Sequence, residues 1–437
     1  MMELHLRPWT IARLWLPLAL TWAMMAAEGL ILQSVLSRLP AAAANLAAFG
    51  VAIGIAFIVE SPIIMLLSAS TAYVKGAASY RVVRRFAFGL SAGVTAVMLL
   101  LMLPPVYDVL AESVLALPSH VSTTVYWCIV ALLPWPGLIG VRRFYQGVII
   151  RARLNTYIAA GTLFRLFTIV IGAFAMYSLL PPHSNSAIAA CGVLTCAVAL
   201  ETIATRWMAQ TALRRTLDEN DPSSYRLTTS QLARLYIPLA LTSIVAMGIG
   251  PVLTAFMTRF PNAIESLAVY PVVDGFVFQF RSPLFAYQEV AISLFAVYGF
   301  TERMIKHVGY CIAAISTGVL ATVVATPLAA IVYGVFPYQL STSLELYAVY
   351  ATAILLPLPF ASAVYSIERA VLIVADHSKL VAYSTFIEAG VTVAFLSVLA
   401  LMEVRLAGVF ATTFAISIGK IAAATYLLRS ARHYGRG

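Results

Sequence analysis

Ala12–Thr21 reads ARLWLPLALT and Ala233–Thr242 reads ARLYIPLALT, identical at eight of ten positions. The register holds outward from there without a gap. Pro17 and Pro238 lie 221 residues apart, Leu36-Ser37-Arg38-Leu39-Pro40 falls on Met257-Thr258-Arg259-Phe260-Pro261, and Glu60-Ser61-Pro62 falls on Arg281-Ser282-Pro283. A second block follows at an offset of 223, where Leu132-Leu133-Pro134-Trp135-Pro136 matches Leu355-Leu356-Pro357-Leu358-Pro359. The chain is an internal repeat, and the repeat decides its architecture.

The 437 residues are 61% hydrophobic and 11% charged, with a mean hydropathy of +0.91. A soluble chain of this length needs a far more charged surface. A membrane span needs roughly 20 apolar residues. Twelve such stretches are read at about 11–34, 44–73, 86–111, 121–141, 156–180, 186–212, 230–256, 266–297, 307–335, 343–366, 379–402 and 406–429. The fold class expected is an all-α integral membrane protein of twelve helices in two pseudo-symmetric six-helix lobes. Residues 1–212 form the N-terminal lobe, 213–230 a cytoplasmic linker, and 231–437 the C-terminal lobe. The linker carries the polar run RRTLDENDPSSYRLTTS, Arg214–Ser230.

The net charge of +10 is distributed as membrane topology requires, not as a nucleic-acid surface. With the N-terminus cytoplasmic, 22 of the 28 basic residues fall at the termini and in loops on that side, Arg142, Arg143, Arg303, Lys306 and Arg369 among them. Only Arg38, Arg259 and Arg405 face the other side, and Arg165, Arg281 and Lys420 lie within spans. The positive-inside rule then places both termini in the cytoplasm, in a multi-pass protein of the inner membrane. No cleavable leader is evident in MMELHLRP. An even number of spans per half makes the repeats parallel. The segment Arg142–Asn155, RRFYQGVIIRARLN, reads as an interfacial turn against the anionic inner leaflet.

Each half carries the same proline punctuation: Pro17 and Pro238 in the first spans, Pro62 and Pro283 in the second, Pro134, Pro136, Pro357 and Pro359 in the fourth. An internal proline removes a backbone hydrogen bond and kinks a helix. Bent helices that leave room between lobes and hinges for alternating access both fit.

Charges at bilayer depth cost about 2.5–3.5 kcal/mol on insertion scales, so they face protein or water. The candidates for substrate or ion coupling are Glu28, Glu60, Arg165, Glu201, Asp274, Arg281, Glu388 and Lys420. Arg165 lies ten residues past Asn155 and Glu388 nine past Lys379, which puts both roughly 14–15 Å into their spans at about 1.5 Å per residue. Asp274 is shallower and seven residues from Arg281, two turns away on the same helix face. The repeat sets Glu60 against Arg281, Arg165 against Glu388, and Glu201 against Lys420. Three arrangements fit this: salt bridges between the lobes, a charged midplane cavity whose pairings exchange, or pairing within a lobe such as Glu60 with Arg165. Glu28 stands opposite apolar Ile249, which makes it the candidate for proton coupling, with a neutral hydrogen-bonding role as the alternative.

All six histidines lie in loops or at span ends, and the four cysteines show no metal-ligand pattern. No GxxxxGK[ST] loop or soluble nucleotide-binding domain is present. An enzyme would call for a cluster of His, Asp or Cys on an extended loop. The reading is therefore not an enzyme: no catalytic residue, metal or cofactor is assigned, and the coupling ion is left between H+ and Na+.

The segment Tyr145-Gln146-Gly147 through Arg151 and Leu154 into Gly161 resembles the loop after the fourth span in one transporter superfamily. That superfamily holds the multidrug and toxic-compound extrusion (MATE) transporters, the lipid-linked oligosaccharide flippases and the progressive ankylosis proteins. The run from Glu60-Ser61-Pro62 to Arg84-Arg85 is most similar to prokaryotic relatives of the progressive ankylosis protein. The loop KGAASYRVVRR lacks the basic signature of the major facilitator fold. The resemblance implies secondary export by alternating access without ATP, and in the ankylosis branch a small organic anion received by Arg165, Arg281 and Lys420. Lipid-linked saccharide flipping and cation-coupled multidrug efflux are the alternatives. The partners implied are a small-molecule or lipid-linked substrate and membrane lipids, with no nucleic acid, acting on a monomer.

Overall fold

The computed structural model describes residues 7–152, 154, 156–181, 184–218, 227–299, 303–375 and 377–432. These are helical, without strands among the described residues. The first half runs through α1 (Pro8–Leu36), α2 (Ala42–Glu60), a 3-10 turn (Ser61–Ile63), α3 (Leu66–Tyr73), α4 (Ala77–Leu101), α5 (Pro104–Asp108), a π-turn (Val109–Val114), α6 (Ser119–Leu132), α7 (Trp135–Arg151), α8 (Thr156–Leu179) and α9 (Ser186–Asp218). The second half runs through α10 (Thr229–Met257), α11 (Ala263–Tyr298), α12 (Arg303–Ala325), α13 (Leu328–Gly334), α14 (Thr342–Ile354), α15 (Leu358–Val374), α16 (Ser378–Leu401) and α17 (Gly408–Ala431). Eleven helical stretches among the described residues are long and apolar enough to cross a membrane, and Ser243–Met257 of α10 adds a shorter apolar helix. The protein is a multi-pass membrane protein.

The expected division at 213–230 follows chain order. The structure divides differently, into a first unit of Met1–Arg38 with Phe256–Gly437 and a second unit of Leu39–Ala255. Each half has lent its first helix to the remainder of the other. The middle of the expected linker, 219–226, lies outside the described residues.

The exchange has a hydrogen-bond signature at the two aromatic positions where the founding repeat differs. In the first unit Trp15 Nε1 donates to the carbonyl of Pro283 at 2.8 Å. In the second unit the Tyr236 hydroxyl donates to the carbonyl of Pro62. Trp15 and Tyr236 are 221 residues apart, and so are Pro62 and Pro283. Both first helices thus carry an aromatic donor to the proline carbonyl in the other half's second helix. Around Trp15, α1 packs on α11 and α12, with Ile11 in a core that includes Tyr287, Leu294 and Val371. Its far end is anchored by Gln33 Nε2 on the Pro271 carbonyl at 3.0 Å. Arg38 Nη1 adds bonds to the Ser34 carbonyl at 2.6 Å and to the Pro337 carbonyl.

The prolines act where they fall. Pro17 and Pro283 are inside continuous helices, while Pro62 sits in the 3-10 turn that separates α2 from α3. Pro134 and Pro357 precede α7 and α15, and Pro136 and Pro359 lie in their first turns, where a missing N–H has no helical partner to lose. The fourth span of each half is therefore two helices broken at a proline pair. Pro238 lies within α10, but its side chain is outside the described ones.

In the second unit α7 crosses α3 at Gly147. A Cβ there would stand 2.7 Å from the Leu67 carbonyl and 3.0 Å from the Thr71 nitrogen, both backbone atoms. Gly161 on α8 has only ordinary contacts at 3.5–3.7 Å. Gly147→Ala is expected to destabilise by about 1–3 kcal/mol, as overpacking does, and Gly161→Ala to stay within about 0.5 kcal/mol. Reversible unfolding in mixed micelles measures both. In the same assay, Trp15→Phe and Tyr236→Phe should each cost about 1 kcal/mol by losing one hydrogen bond. Tyr236→Phe should keep the edge-on contact of that ring with Phe86 at 5.1 Å.

Candidate functional site

Helix α8 turns Gly161, Thr162, Arg165, Ile169, Ala173 and Met176 inward and leaves Phe164, Phe167, Ile171 and Phe174 exposed. This is the pattern of a membrane helix that presents apolar bulk outward and hides its one charge. Helix α9 packs against α6, α7 and α8 through small side chains, among them Ala190, Cys191, Ala197 and Ala209. Small residues let helices approach closely enough for side chains to pair. Glu201 sits in that seam with no exposed surface.

Two guanidiniums converge on it. Arg165 Nη1 is 3.1 Å from Glu201 Oε2, and Arg142 Nη1 of α7 donates to the same oxygen. Next to this triad, Arg143 Nη2 is 3.9 Å from Glu60 Oε1 of α2. The second unit thus gathers three arginines, Arg142 and Arg165 buried and Arg143 partly exposed, with two buried glutamates. Several of their atoms have no hydrogen-bond partner: Glu201 Oε1, Glu60 Oε2, and the Nε of Arg142 and of Arg143.

The first unit has an equivalent triad. Lys420 of α17 lies 2.7 Å from both oxygens of Glu388 on α16, and its ammonium sits 4.3 Å over the Tyr365 ring of α15. Gly419 permits this: a Cβ there would meet the Glu388 carbonyl at 2.8 Å and Thr392 Oγ1 at 2.2 Å. Toward the start of α12, Lys306 Nζ is 2.9 Å from both oxygens of Glu368, which also accepts from the Tyr310 hydroxyl at 3.2 Å. Arg281 Nη1 is 3.6 Å from Asp274 Oδ1 on the same face of α11, and its Nε is 3.3 Å from Ser362 Oγ. Glu28 is buried on α1, on the face that holds Leu32 and Leu36.

Of the three arrangements, these contacts are of the within-lobe kind, though with other partners than Glu60 with Arg165. Arg165 bridges Glu201, Glu388 bridges Lys420, Glu60 meets Arg143, and Arg281 meets Asp274, each pair within one unit. Expectation also misplaced Arg142 and Arg143. They are not in a loop, and Arg142–Arg151 is not an interfacial turn. That stretch belongs to α7, with Arg142 5% exposed and Phe144, Tyr145, Val148 and Ile149 buried beside it. The proline pair starts α7 at Trp135, so two turns of helix carry Arg142 and Arg143 to the carboxylates of α9 and α2. Glu368 and Tyr365 were not among the candidates either. Position 142 does match 365 at the repeat offset of 223, a signal that was available.

A reversal test follows from the Glu388–Lys420 pair. Lys420 is buried and Glu388 partly exposed, so breaking the pair leaves an unmatched charge within a span. Glu388→Lys or Lys420→Glu alone should therefore sharply reduce the monodisperse peak in size-exclusion chromatography. The double reversal should restore most of it. A double variant no better than the worse single would refute the pairing.

No protein-family model matches the chain, and no curated protein matches it. Solved structures do. A multidrug resistance MATE family transporter in an inward-facing conformation aligns with a TM-score of 0.69 at 12% identity, covering 97% of both chains. The lipid II flippase MurJ, in an inward closed conformation, aligns with a TM-score of 0.72 at 12% identity, over 95% of this chain and 87% of that one. A MOP superfamily transporter from Pyrococcus furiosus aligns with a TM-score of 0.62 at 13% identity, over 97% and 94%. The chain has the fold of these proteins over essentially its whole length.

Proposed function

We propose that the chain is a secondary exporter of the inner membrane, with cytoplasmic termini, that moves a small organic anion by alternating access without ATP. The shared fold supports export, since the similar structures are MATE transporters and a lipid II flippase. The observation that carries the anion is the gathering of three arginines in the second unit, where Arg142 and Arg165 meet Glu201 and Arg143 meets Glu60. Guanidinium stays charged in proteins, so these cations persist at every physiological pH. They suit an anionic cargo and disfavour a cationic drug. The resemblance to prokaryotic relatives of the progressive ankylosis protein points the same way. A second reading, lipid-linked saccharide flipping, draws on the likeness to the lipid II flippase. The hinge role of the prolines belongs to the same proposal. Pro62, Pro134, Pro136, Pro357 and Pro359 stand at helix breaks where backbone can rotate at low cost, and Pro17, Pro238 and Pro283 lie inside helices where they weaken the ladder.

Proteoliposomes loaded with radiolabelled citrate, AMP, ethidium or a fluorescent lipid-linked saccharide test this directly. Saturable efflux of citrate or AMP, without ATP, is the expected result. Efflux of ethidium alone would overturn the anion reading, and movement of the lipid-linked saccharide alone would establish the flippase. Imposing a pH or a Na+ gradient in the same vesicles identifies the coupling ion. If Glu28 carries the proton, Glu28→Gln should abolish gradient-driven efflux while leaving substrate exchange at fixed pH. Gradient-driven efflux equal to the parent would assign Glu28 a purely scaffolding role.

A further inference from the structure

Arg84 of α4 and Arg206 of α9 are far apart in the chain, yet they share one aromatic platform in the second unit. The Arg84 guanidinium carbon lies 5.4 Å from the centre of the Phe88 ring, and that of Arg206 lies 5.0 Å from the centre of the Tyr145 ring. Phe88 and Tyr145 meet edge-on at 6.4 Å, and Phe144 stands 5.0 Å from Tyr145 and 5.7 Å from Tyr80. The charges of Arg84 and Arg206 both act on the Tyr80 hydroxyl. Helices α4, α7 and α9 pack on one another pairwise, which fixes the rings in place.

Both arginines are exposed, and among the described residues neither has an ion pair or a hydrogen bond. The chain has no Asp or Glu between Glu60 and Asp108, so α4 up to its end supplies no carboxylate. In α9, Glu201 is taken by Arg142 and Arg165. At the repeat offset of 223, Tyr145 falls on Glu368, which holds Lys306 at 2.9 Å. At that position the first unit meets a cation with a carboxylate, and the second offers a ring.

The platform stands where two exposed helix faces change character. Along α4 the exposed side chains run from Arg81, Arg84 and Arg85 to Phe88, Val97 and Leu100. Along α9 they run from Leu200 and Ile203 to Arg206 and Trp207, whose indole is 75% exposed. An arginine beside an exposed tryptophan, above an apolar face, marks the boundary between acyl chains and water. Helix α4 starts at this boundary and α9 ends at it, which the positive-inside pattern assigns to the cytoplasmic leaflet, the leaflet of anionic lipids.

We propose that Arg84 and Arg206 seat the head group of one anionic phospholipid of the cytoplasmic leaflet, with its acyl chains on the apolar faces of α4 and α9. A guanidinium binds phosphate through its edge while its plane stays stacked on a ring, so Phe88 and Tyr145 hold the two forks ready. Side chains held in advance lose less freedom on binding. A zwitterionic lipid brings its own cation into a patch that also contains Arg81 and Arg85, and is disfavoured. A soluble anion meets the guanidiniums but leaves the apolar faces unused. The seat goes beyond the cargo reading and draws on it only for which side is cytoplasmic.

Titration of the purified full chain in detergent, read by native mass spectrometry, tests the seat with phosphatidylglycerol, phosphatidylcholine and inorganic phosphate as probes. Phosphatidylglycerol should bind saturably, and phosphatidylcholine about tenfold more weakly or worse. Arg84→Gln and Arg206→Gln should each weaken phosphatidylglycerol by about tenfold, the loss of one charge-assisted contact. Arg151→Gln removes an exposed charge six residues further along α7 than Tyr145, roughly 9 Å at about 1.5 Å per residue, and should stay within about twofold. Melting temperatures without lipid should be unchanged, because the two arginines hold no ion pair in the protein. If a glutamine variant does not fold, Arg84→Lys keeps the charge but loses the fork, and should still weaken binding by about threefold. Parental binding in the folded variants overturns the seat, and so does a loss in Arg151→Gln as large as in Arg84→Gln, which would mean diffuse surface charge. Equal binding of phosphatidylcholine, or release of the lipid by millimolar phosphate, overturns it as well. None of these outcomes touches anion export, which the efflux assay decides separately.

Discussion

An ion in the middle of a bilayer helix must meet a partner or stay out of the bilayer, and in this protein that constraint falls on one residue in the last helix of each repeat. Glu201 and Lys420 lie in seams lined by alanine, glycine, serine and threonine, close enough to neighbouring helices that their partners come from the two preceding transmembrane helices. The rest follows from these seams. Helix α8 must turn Arg165 inward and its phenylalanines outward, and α16 must approach α17 closely enough that Gly419 can carry no side chain. The fourth span must break at its proline pair so that α7 and α15 start at the depth that brings position 142 or 365 to the seam. A coulombic pair is indifferent to which member carries which sign. The repeat has used that freedom: arginine and glutamate in one unit, glutamate and lysine in the other.

Much of this was legible in the chain. The repeat, the apolar spans and the depth of Arg165, Glu201, Glu388 and Lys420 all follow from spacing and helix rise, and those four residues do form the two central pairs. The partners did not follow. Opposite charges at matching positions of two repeats invite pairing across the repeats, yet the same pattern arises when one pair within a half is duplicated and then reversed in sign. Sequence offsets do not distinguish these cases, because both preserve the register. Helix packing does, since adjacent spans of one unit are already in contact.

Arg142 and Arg143 were misplaced for a related reason. RRFYQG is polar in sum, and averaged hydropathy cannot separate guanidiniums that meet carboxylates from guanidiniums that meet water. Desolvation is offset pair by pair, whereas hydropathy is summed residue by residue. The exchange of first helices was hidden in another way. ARLWLPLALT and ARLYIPLALT are so similar that either could pack on either half, and only the hydrogen bonds of Trp15 and Tyr236 show which half each has chosen.

Those two bonds do not account for the difference between the second spans. Each proline carbonyl, at Pro62 and at Pro283, has an aromatic donor, so the donor alone cannot explain why one span breaks and the other continues. The charges before the prolines differ. In α11, which continues through Pro283, Arg281 is met along its own helix by Asp274 two turns earlier at 3.6 Å. The matching position to Asp274 in the first half is Ile53, so Glu60 has no such tie and reaches sideways to Arg143 on α7. Just past Glu60 the chain takes the tighter 3-10 turn at Ser61–Ile63, and α3 then restarts at Leu66 to meet Gly147. One acid residue, present in one repeat and replaced by isoleucine in the other, accompanies the difference between a continuous helix and a broken one.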